Sequence, residues 1–549
     1  MFRLLLFAFF SSSALPSLAQ TRADSIQLIR SAARLYDLEF TESEADSLLG
    51  NVRFSANLYK GMHQTLPANS IPYPFSFNPL PTGNKIPTLQ KKINWALPIT
   101  TMPANRNDLA FYSIPQLAYL IKNKKVTSVE LTNFFIARLK KWGDTLESVI
   151  TLTEELAMQQ ARQADVDLKR GLYRGVLHGI PYGLKDLFAV KGYKTTWGST
   201  PYKDQVVDED AFVYEQLRKA GAVLCAKLSL GALAYNNKWF GGETKNPWNL
   251  SQGSSGSSAG SAASVAAGLL PFAIGTETQG SIMSPSTRCG VTGLRPSFGS
   301  VSRSGAMVLC WSLDKVGPIC RSAEDDAIVF HYINGDDGKD PGAVSHAFNF
   351  DPSFDIKKLR VGYAENYFRR LNKSAPEWKV IELYTSLGVN VKPVNFPDSA
   401  IYPNNLMGII LNVEGAAAFD ELTRTNRDDL IERQDRNFWP NIFRAARMVP
   451  AVEYINANRY RSQLCKSMYE FMKDFDVLIV PTFGGRQLAI TNLTGHPALC
   501  MPIGFDASGN PQSITLLGQL YQEAPILTAA KAYQGKTDHH KKHPEKFIN

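Results

Sequence analysis

Residues 251–268 read SQGSSGSSAGSAASVAAG, and ten of the first fourteen are Ser or Gly. Alone, that composition describes a flexible spacer. Its surroundings exclude one. The second half, GSAASVAAGLL, combines high helix propensity with almost no side-chain bulk. LLPFAIG continues as an apolar run of buried-strand character. TETQGS closes it as a short turn holding Thr278, Gln279, Gly280 and Ser281. A spacer does not pass straight into core. A helix this smooth suits close approach to a sheet, so the segment calls for a sheet-based fold with its small residues held against that sheet.

The rest of the chain supplies the sheet. SIPQLAYLIKNKKVTSVELTNFFIARLKKW reads as two amphipathic helices, GIPYGLKDLFAV as a buried strand and turn, and DAFVYEQLRKAGAVLCAKLSL as a helix followed by a strand. LRVGYAE and VNVKPVNF are strands flanking the helix EWKVIELYTSLG, and DVLIVPTF is another buried strand. Repeated alternation of this kind predicts an α/β fold, a large mixed β-sheet covered by helices on both faces.

Upstream, SIQLIRSAARLYDLEF and TESEADSLLGNV predict helices within 24–64, the second opened by a capping box. LPANSIPYPFSFNPLPTGNKIP is proline-rich, aperiodic and aromatic, which predicts an extended connector wrapped over the body. The first residues, MFRLLLFAFFSSSALPSLAQ, have one Arg, a short apolar run and a small-residue exit in which Ser17 and Ala19 precede a cleavage point before Gln20. That is the pattern of a signal peptide, too short to span a bilayer. The expected division is therefore a signal peptide at 1–19, a helical segment and extended connector at 20–107, and a catalytic domain at 108–549. The expected location is secreted or periplasmic, with no membrane span after processing.

Composition narrows the partners. Of 549 residues 44% are hydrophobic and 20% charged, as in a globular protein with a large core. The net charge of +9 comes from scattered residues, with local runs only at KNKK and near the C-terminus, and leaves no nucleic-acid footprint. Six cysteines are compatible with disulfides in an exported chain and with buried free thiols, and no Cys/His spacing resembles a metal site.

At this point the motifs converge. GSSAGSAASVAAGLLPFAIGTETQGSI, preceded by GIPYGLKDL and followed in order by CGVTGLRPSFGSVS, LDKVGPICRS, DVLIVPT, TGHPALCMPIGF and TDHHKKHP, resembles the amidase signature family over residues 108–545. The resemblance implies hydrolysis of a linear carboxamide, in a small molecule or a peptide amide, through a serine acyl-enzyme. No cofactor and no metal are implied, and the chain is expected as a monomer or homodimer. Lys185, Ser257 and Ser281 take the places of a Ser-cisSer-Lys triad. Ser281 would attack, Ser257 would relay the proton to the leaving amine, and Lys185, neutral, would act as base. Main-chain N–H groups across Thr278, Gln279, Gly280 and Ser281 would form the oxyanion hole. A serine hydroxyl needs a base within hydrogen-bond reach, and a lysine serves as one near neutral pH only when burial disfavours its charge.

The match has departures. Ser255 and Ala259 stand at glycine positions, Gln279 replaces a glycine of the turn, and Met283 stands where many members carry Arg, which weakens the expectation of a substrate carboxylate there. The hole survives Gln279 unless that residue needs a positive φ. Three rival readings remain. GSSAG fits the nucleophile elbow of an α/β-hydrolase with Ser258 as nucleophile and His496 as partner, but NPWNLSQGSS before it is polar and turn-like rather than a strand. The same motifs fit the A subunit of a tRNA-dependent amidotransferase, which the export signal opposes. A catalytically degenerate amide-binding protein would not need all three polar positions.

Overall fold

The structure is a computed structural model; it describes residues 21–62, 64, 69, 71, 75–398 and 406–548. The proposed signal peptide and its cleavage point lie outside these residues. The chain divides into two units, residues 1–68 and residues 69–549.

The first unit contains two helices, α1 (Arg22–Arg34) and α2 (Glu42–Met62). The second opens with the capping box expected of it; the first starts at Arg22, ahead of the expected span, behind a cap the sequence reading did not name. Thr21 and Asp24 close a capping box on α1. On α2, the Thr41 N–H donates to Glu44 Oε2 at 2.8 Å and the Glu44 N–H to Thr41 Oγ1 at 3.3 Å.

The second unit is organised around one eleven-stranded sheet. Its strands, in chain order, are β1 (Val149–Leu152), β2 (Pro181–Lys185), β3 (Val223–Leu228), β4 (Phe272–Glu277), β5 (Thr292–Arg295) and β6 (Lys315–Cys320). They continue with β7 (Val361–Ala364), β8 (Val391–Val394), β9 (Val477–Pro481), β10 (Ala498–Phe505) and β11 (Pro511–Leu517). Across the sheet the order is β1-β3-β2-β4-β6-β5-β10-β11-β9-β7-β8. The pairs β3 with β2, β2 with β4, β9 with β7 and β7 with β8 are parallel, and the run from β4 through β6, β5, β10 and β11 to β9 between them is antiparallel, as is β1 with β3, so the sheet is mixed. Every residue of β2, β3, β4 and β6 is buried, the pattern of strands covered on both faces.

The connector behaves as its aromatic content predicts. The Ala347 N–H donates to Pro87 C=O at 2.7 Å, Gln90 Nε2 to Phe348 C=O at 2.8 Å, and Phe77 packs edge-on against Phe298. All six cysteines are buried free thiols, consistent with their apolar neighbours. Among the described residues, no helix is long and apolar enough to cross a membrane.

The Ser/Gly segment explains itself in this frame. Helix α3 (Ala259–Ala266) is buried along its whole length. A Cβ on Gly260 would lie 2.4 Å from Ser148 C=O and 2.6 Å from the Ser229 N–H, so only a bare helix start fits there. A Cβ on Gly183 of β2 would lie 2.5 Å from Leu228. These contacts bring the loop, the ends of β2 and β4, and the following turn to one place.

Candidate active site

Strands β2 and β4 run parallel, with Leu184 opposite Ile274, and both end at the same edge of the sheet. Lys185 is the last residue of β2 and has no exposed surface. Its Nζ contacts Ser257 Oγ at 2.8 Å, Thr276 Oγ1 at 2.8 Å, Ser258 Oγ at 3.1 Å and Thr276 C=O at 3.5 Å. Among the described residues no carboxylate pairs with it: Asp186 is bound instead to Lys227, at 2.7 Å. Burial pushes the Lys185 ammonium down to about 7, against the opposing pull of Asp314 and Glu277. A neutral Lys185 keeps two N–H donors and gains one lone pair, and Ser257 Oγ–H is within reach of that lone pair.

Ser257 is 1% exposed and follows a cis peptide bond from Gly256. Gly256 is required here, since a Cβ would fall 1.8 Å from Asn236 C=O. Ser258 is a different kind of serine. Its Oγ donates to Thr276 C=O at 3.0 Å and accepts from the Thr276 N–H at 3.1 Å as well as from Lys185. It therefore ties α3 to β4 and has no free lone pair or proton for attack. His496, its partner in the hydrolase reading, accepts or donates at Thr494 Oγ1, 2.8 Å away, and burial followed by Arg295 pushes it down to about 3.

Ser281 sits in the turn after β4, 9% exposed. Its Oγ has no hydrogen-bond partner among the described residues, and neither do the main-chain N–H groups of Thr278, Gln279, Gly280 and Ser281. A turn that leaves consecutive donors unused has the hydrogen-bonding capacity to hold an anionic oxygen. The positive φ of this turn falls on Gly280, at 86°, and not on Gln279, whose side chain is exposed. Ser255, by contrast, occupies its glycine position with a φ of 61° and bonds Ser284 Oγ at 2.8 Å.

The three residues named from the sequence thus converge, with one link absent. Lys185 and Ser257 are hydrogen-bonded. Ser257 and Ser281 are not bonded through their hydroxyls; their loops are joined one residue over, where the Ser258 N–H donates to Ser281 C=O at 3.2 Å.

Sequence reasoning missed what holds the turn. Glu277, fully buried at the end of β4, accepts from the N–H groups of Ile282 at 2.8 Å and Met283 at 3.0 Å, from Arg295 Nη1 at 2.7 Å and from Asn492 Nδ2 at 3.0 Å. Burial raises its pKa, and Arg295 with the Met283 N–H outweighs burial, leaving it at about 2. It stays ionised and clamps the residues that follow Ser281. On the other flank Thr278 Oγ1 donates to Asp314 Oδ1 at 2.6 Å. The available signal was a carboxylate ending an apolar strand, which burial allows only with partners. Met283 is buried and apolar, so no cation stands at that position.

A family model described as Amidase matches residues 130–527. The A subunit of the glutamyl-tRNA(Gln) amidotransferase of Coxiella burnetii (strain RSA 493 / Nine Mile phase I) is 33% identical, over 79% of this chain and 99% of that protein. The native peptide amidase from Stenotrophomonas maltophilia superposes with a TM-score of 0.70 at 26% identity, over 78% of this chain and 98% of that one. A structure reported for a vestigial protein complex at the evolutionary origin of an s-triazine catabolic enzyme superposes with a TM-score of 0.72 at 27% identity, over 77% and 98%. With the buried lysine, the serine loop and the donor-lined turn at one edge of this sheet, the chain belongs to the amidase signature family.

Proposed function

We propose that this protein hydrolyses a linear carboxamide through an acyl-enzyme on Ser281. The observation that carries the reading is the Lys185–Ser257 contact at 2.8 Å, made by a lysine with no exposed surface and, among the described residues, no carboxylate partner. Ser281 Oγ attacks the carbonyl carbon. Its proton passes to Ser257 Oγ, whose own proton moves to Lys185 Nζ. The oxyanion takes the unused N–H groups of the 278–281 turn, each such donor being worth about 2.7–4 kcal/mol in comparable sites. The tetrahedral carbon then expels the amine, which receives the proton back through Ser257, and the C–N bond breaks. Water attacks the ester along the same relay, releasing the carboxylic acid and regenerating Ser281.

The division at residue 108 and the export of the chain are part of this proposal. N-terminal sequencing of mature protein is expected to begin at Gln20; a start at Met1 overturns export. The main experiment is ammonia release from aliphatic, aromatic and peptide C-terminal amides, with Ser281→Ala as blank. Turnover by the chain alone is expected. A second reading follows from the relatives of this chain that are A subunits of glutamyl-tRNA(Gln) amidotransferases. It requires other subunits and tRNA, so glutamine hydrolysis that appears only with them would replace the first.

A further inference from the structure

The turn that carries Ser281 is braced on one flank by Glu277 and on the other by Asp314, and the two braces meet at one buried side chain. Arg461, on the helix Ala451–Met472, is 1% exposed. Its Nε donates to Leu493 C=O at 2.6 Å, its Nη1 to Ser312 Oγ at 2.8 Å and its Nη2 to Ser312 C=O at 2.7 Å. Leu493 follows Asn492, which donates to Glu277 and so belongs to the clamp on the Ile282 and Met283 N–H groups. Ser312 lies two residues before Asp314, whose Oδ1 accepts from Thr278 Oγ1 and whose Oδ2 accepts from the N–H groups of Leu309 at 2.8 Å and Cys310 at 2.9 Å. One guanidinium therefore ties the segment that holds the start of the turn to the segment that holds its end. A planar fork reaches two carbonyls and a hydroxyl together; a lysine ammonium is a point charge and does not.

A charge at this depth has to be answered. Among the described residues no carboxylate touches Arg461 directly. Ser312 stands between it and Glu414: the Ser312 Oγ donates to Glu414 Oε1 at 2.6 Å and the Ser312 N–H to Glu414 Oε2 at 2.9 Å. Phe77 covers the guanidinium, with its ring centroid 3.4 Å from Arg461 Cζ. Phe77 belongs to the connector, ahead of the stretch 130–527 that the family model matches. The connector is fastened on both sides of it. The Val308 N–H donates to Asn69 Oδ1 at 3.0 Å, and buried Pro79 packs on Gly495, where a Cβ would lie 2.8 Å from the proline ring.

We propose that Arg461 is a positioning residue for the nucleophile turn and that Phe77, from the connector, is its cover. The ring keeps water off the guanidinium, so that its three hydrogen bonds hold the two braces at one spacing. This deepens the amidase reading and rests on it. Arg461 acts through Glu277 and Asp314, by fixing where the Ser281 hydroxyl and the free N–H groups of the turn stand.

The test uses the full chain and the amide that releases ammonia fastest in the screen above. Arg461→Lys is expected to lower kcat about tenfold with KM within about twofold, because misplaced groups weaken the transition state and leave the substrate's own contacts in place. Phe77→Leu, which keeps an apolar cover without a ring face, is expected to lower kcat about threefold, and Phe77→Tyr to restore it. Hydrogen–deuterium exchange gives the second readout. In Arg461→Lys and Phe77→Leu, residues 277–285 are expected to exchange faster while β3 does not change. An unchanged kcat in both variants overturns the proposal, as does a KM that rises as much as kcat falls, or faster exchange spread evenly over β3 and the turn. If Arg461→Lys does not fold, the two Phe77 variants decide by the same readouts. If the unaltered chain releases ammonia from no amide, the hydrolysis reading falls and exchange decides this one: an increase confined to residues 277–285 keeps the positioning role, and its absence overturns it.

Discussion

Lys185 and Lys227 lie on adjacent parallel strands, β2 and β3, and neither has any exposed side-chain surface. In register Lys227 stands opposite Leu184 and Lys185 opposite Leu228, so strand alternation turns the two amines to opposite faces of the sheet. Burial pushes both pKa values down. Their partners then differ. Lys227 meets Asp186 at 2.7 Å, together with Lys194 C=O at 2.9 Å and Thr195 Oγ1 at 3.0 Å, and the carboxylate opposes the loss of its charge. Lys185 meets three hydroxyls and a carbonyl, none of which carries charge. The same residue type at the same depth is paired with a carboxylate on one face and, on the other, meets only uncharged groups, as the proposed base would. The partner decides, not the depth.

Exchanging each lysine breaks this comparison most sharply. Lys185→Ala is expected to lower kcat by about a thousandfold or more, as loss of a unit of a catalytic relay does, with the protein still folded. Lys227→Ala leaves Asp186 buried without its cation and is expected to cost about 3–5 kcal/mol of stability, with kcat per folded molecule nearly unchanged. Denaturant melts beside initial rates separate the two. If Lys227→Ala loses activity while keeping its stability, the assignment of roles is wrong.

Glu277→Gln comes next. It removes the charge that Arg295 neutralises inside the protein and weakens the grip on the Ile282 and Met283 N–H groups. Breaking a buried pair in this way is expected to cost about 3 kcal/mol. The loosened turn is expected to lower kcat by roughly ten- to a hundredfold, since a donor displaced from the oxyanion loses much of its value. KM is expected to change little, because Glu277 touches the turn and not the substrate.

Acidity sharpens the contrast further. The proposed mechanism uses Lys185 as a neutral amine, so log kcat/KM is expected to rise with slope one as pH increases toward about 7 and to level off above it. Stability follows the same titration with a defined sign. The folded lysine titrates near 7 and the unfolded one near 10.5, so between those values the unfolded chain binds the extra proton and stability rises with pH. The cost of burying Lys185, on the order of 5 kcal/mol, is fully present below pH 7 and gone above 10.5. Lys185→Met is therefore expected to be more stable than the native chain at pH 6, with the gap closing on the alkaline side. A gap independent of pH would mean that the amine stays protonated.

The strands that position these lysines were legible because they are apolar runs with clear ends. Pro181–Lys185 falls where GIPYGLKDL places it, Phe272–Glu277 starts within LLPFAIG and runs two residues past it, and α3 begins one residue before GSAASVAAGLL and ends inside it. The spatial order of the eleven strands was not legible. Val149–Leu152 and Thr292–Arg295 have four residues each, too few for a periodicity to appear. Lys185, Ser257 and Ser281 came from motif resemblance, and the cluster around them did not. Glu277 finds Asn492 across 215 residues, and Asn69 finds Val308 across 239. Nothing local in a chain records such pairings. What the sequence did hold was the demand for them: an acid at the end of a buried strand must be answered from somewhere.

The smallest effect concerns the residue that departs from the family in the turn itself. Gln279 lies between Thr278 and Gly280 with its side chain exposed, and the left-handed φ belongs to Gly280. In the proposed mechanism Gln279 contributes its backbone N–H, and a backbone donor is indifferent to the side chain beyond it. Gln279→Gly is therefore expected to change kcat by less than about threefold, the small loss coming from a freer turn. Gly280→Ala is the contrasting change. Its Cβ meets Leu488 at 3.1 Å and its φ of 86° is strained for any L-residue, at a cost of about 1 kcal/mol. A larger loss in Gln279→Gly than in Gly280→Ala would mean that the glutamine amide itself reaches the substrate, and would move Gln279 from the frame of the oxyanion site into the pocket.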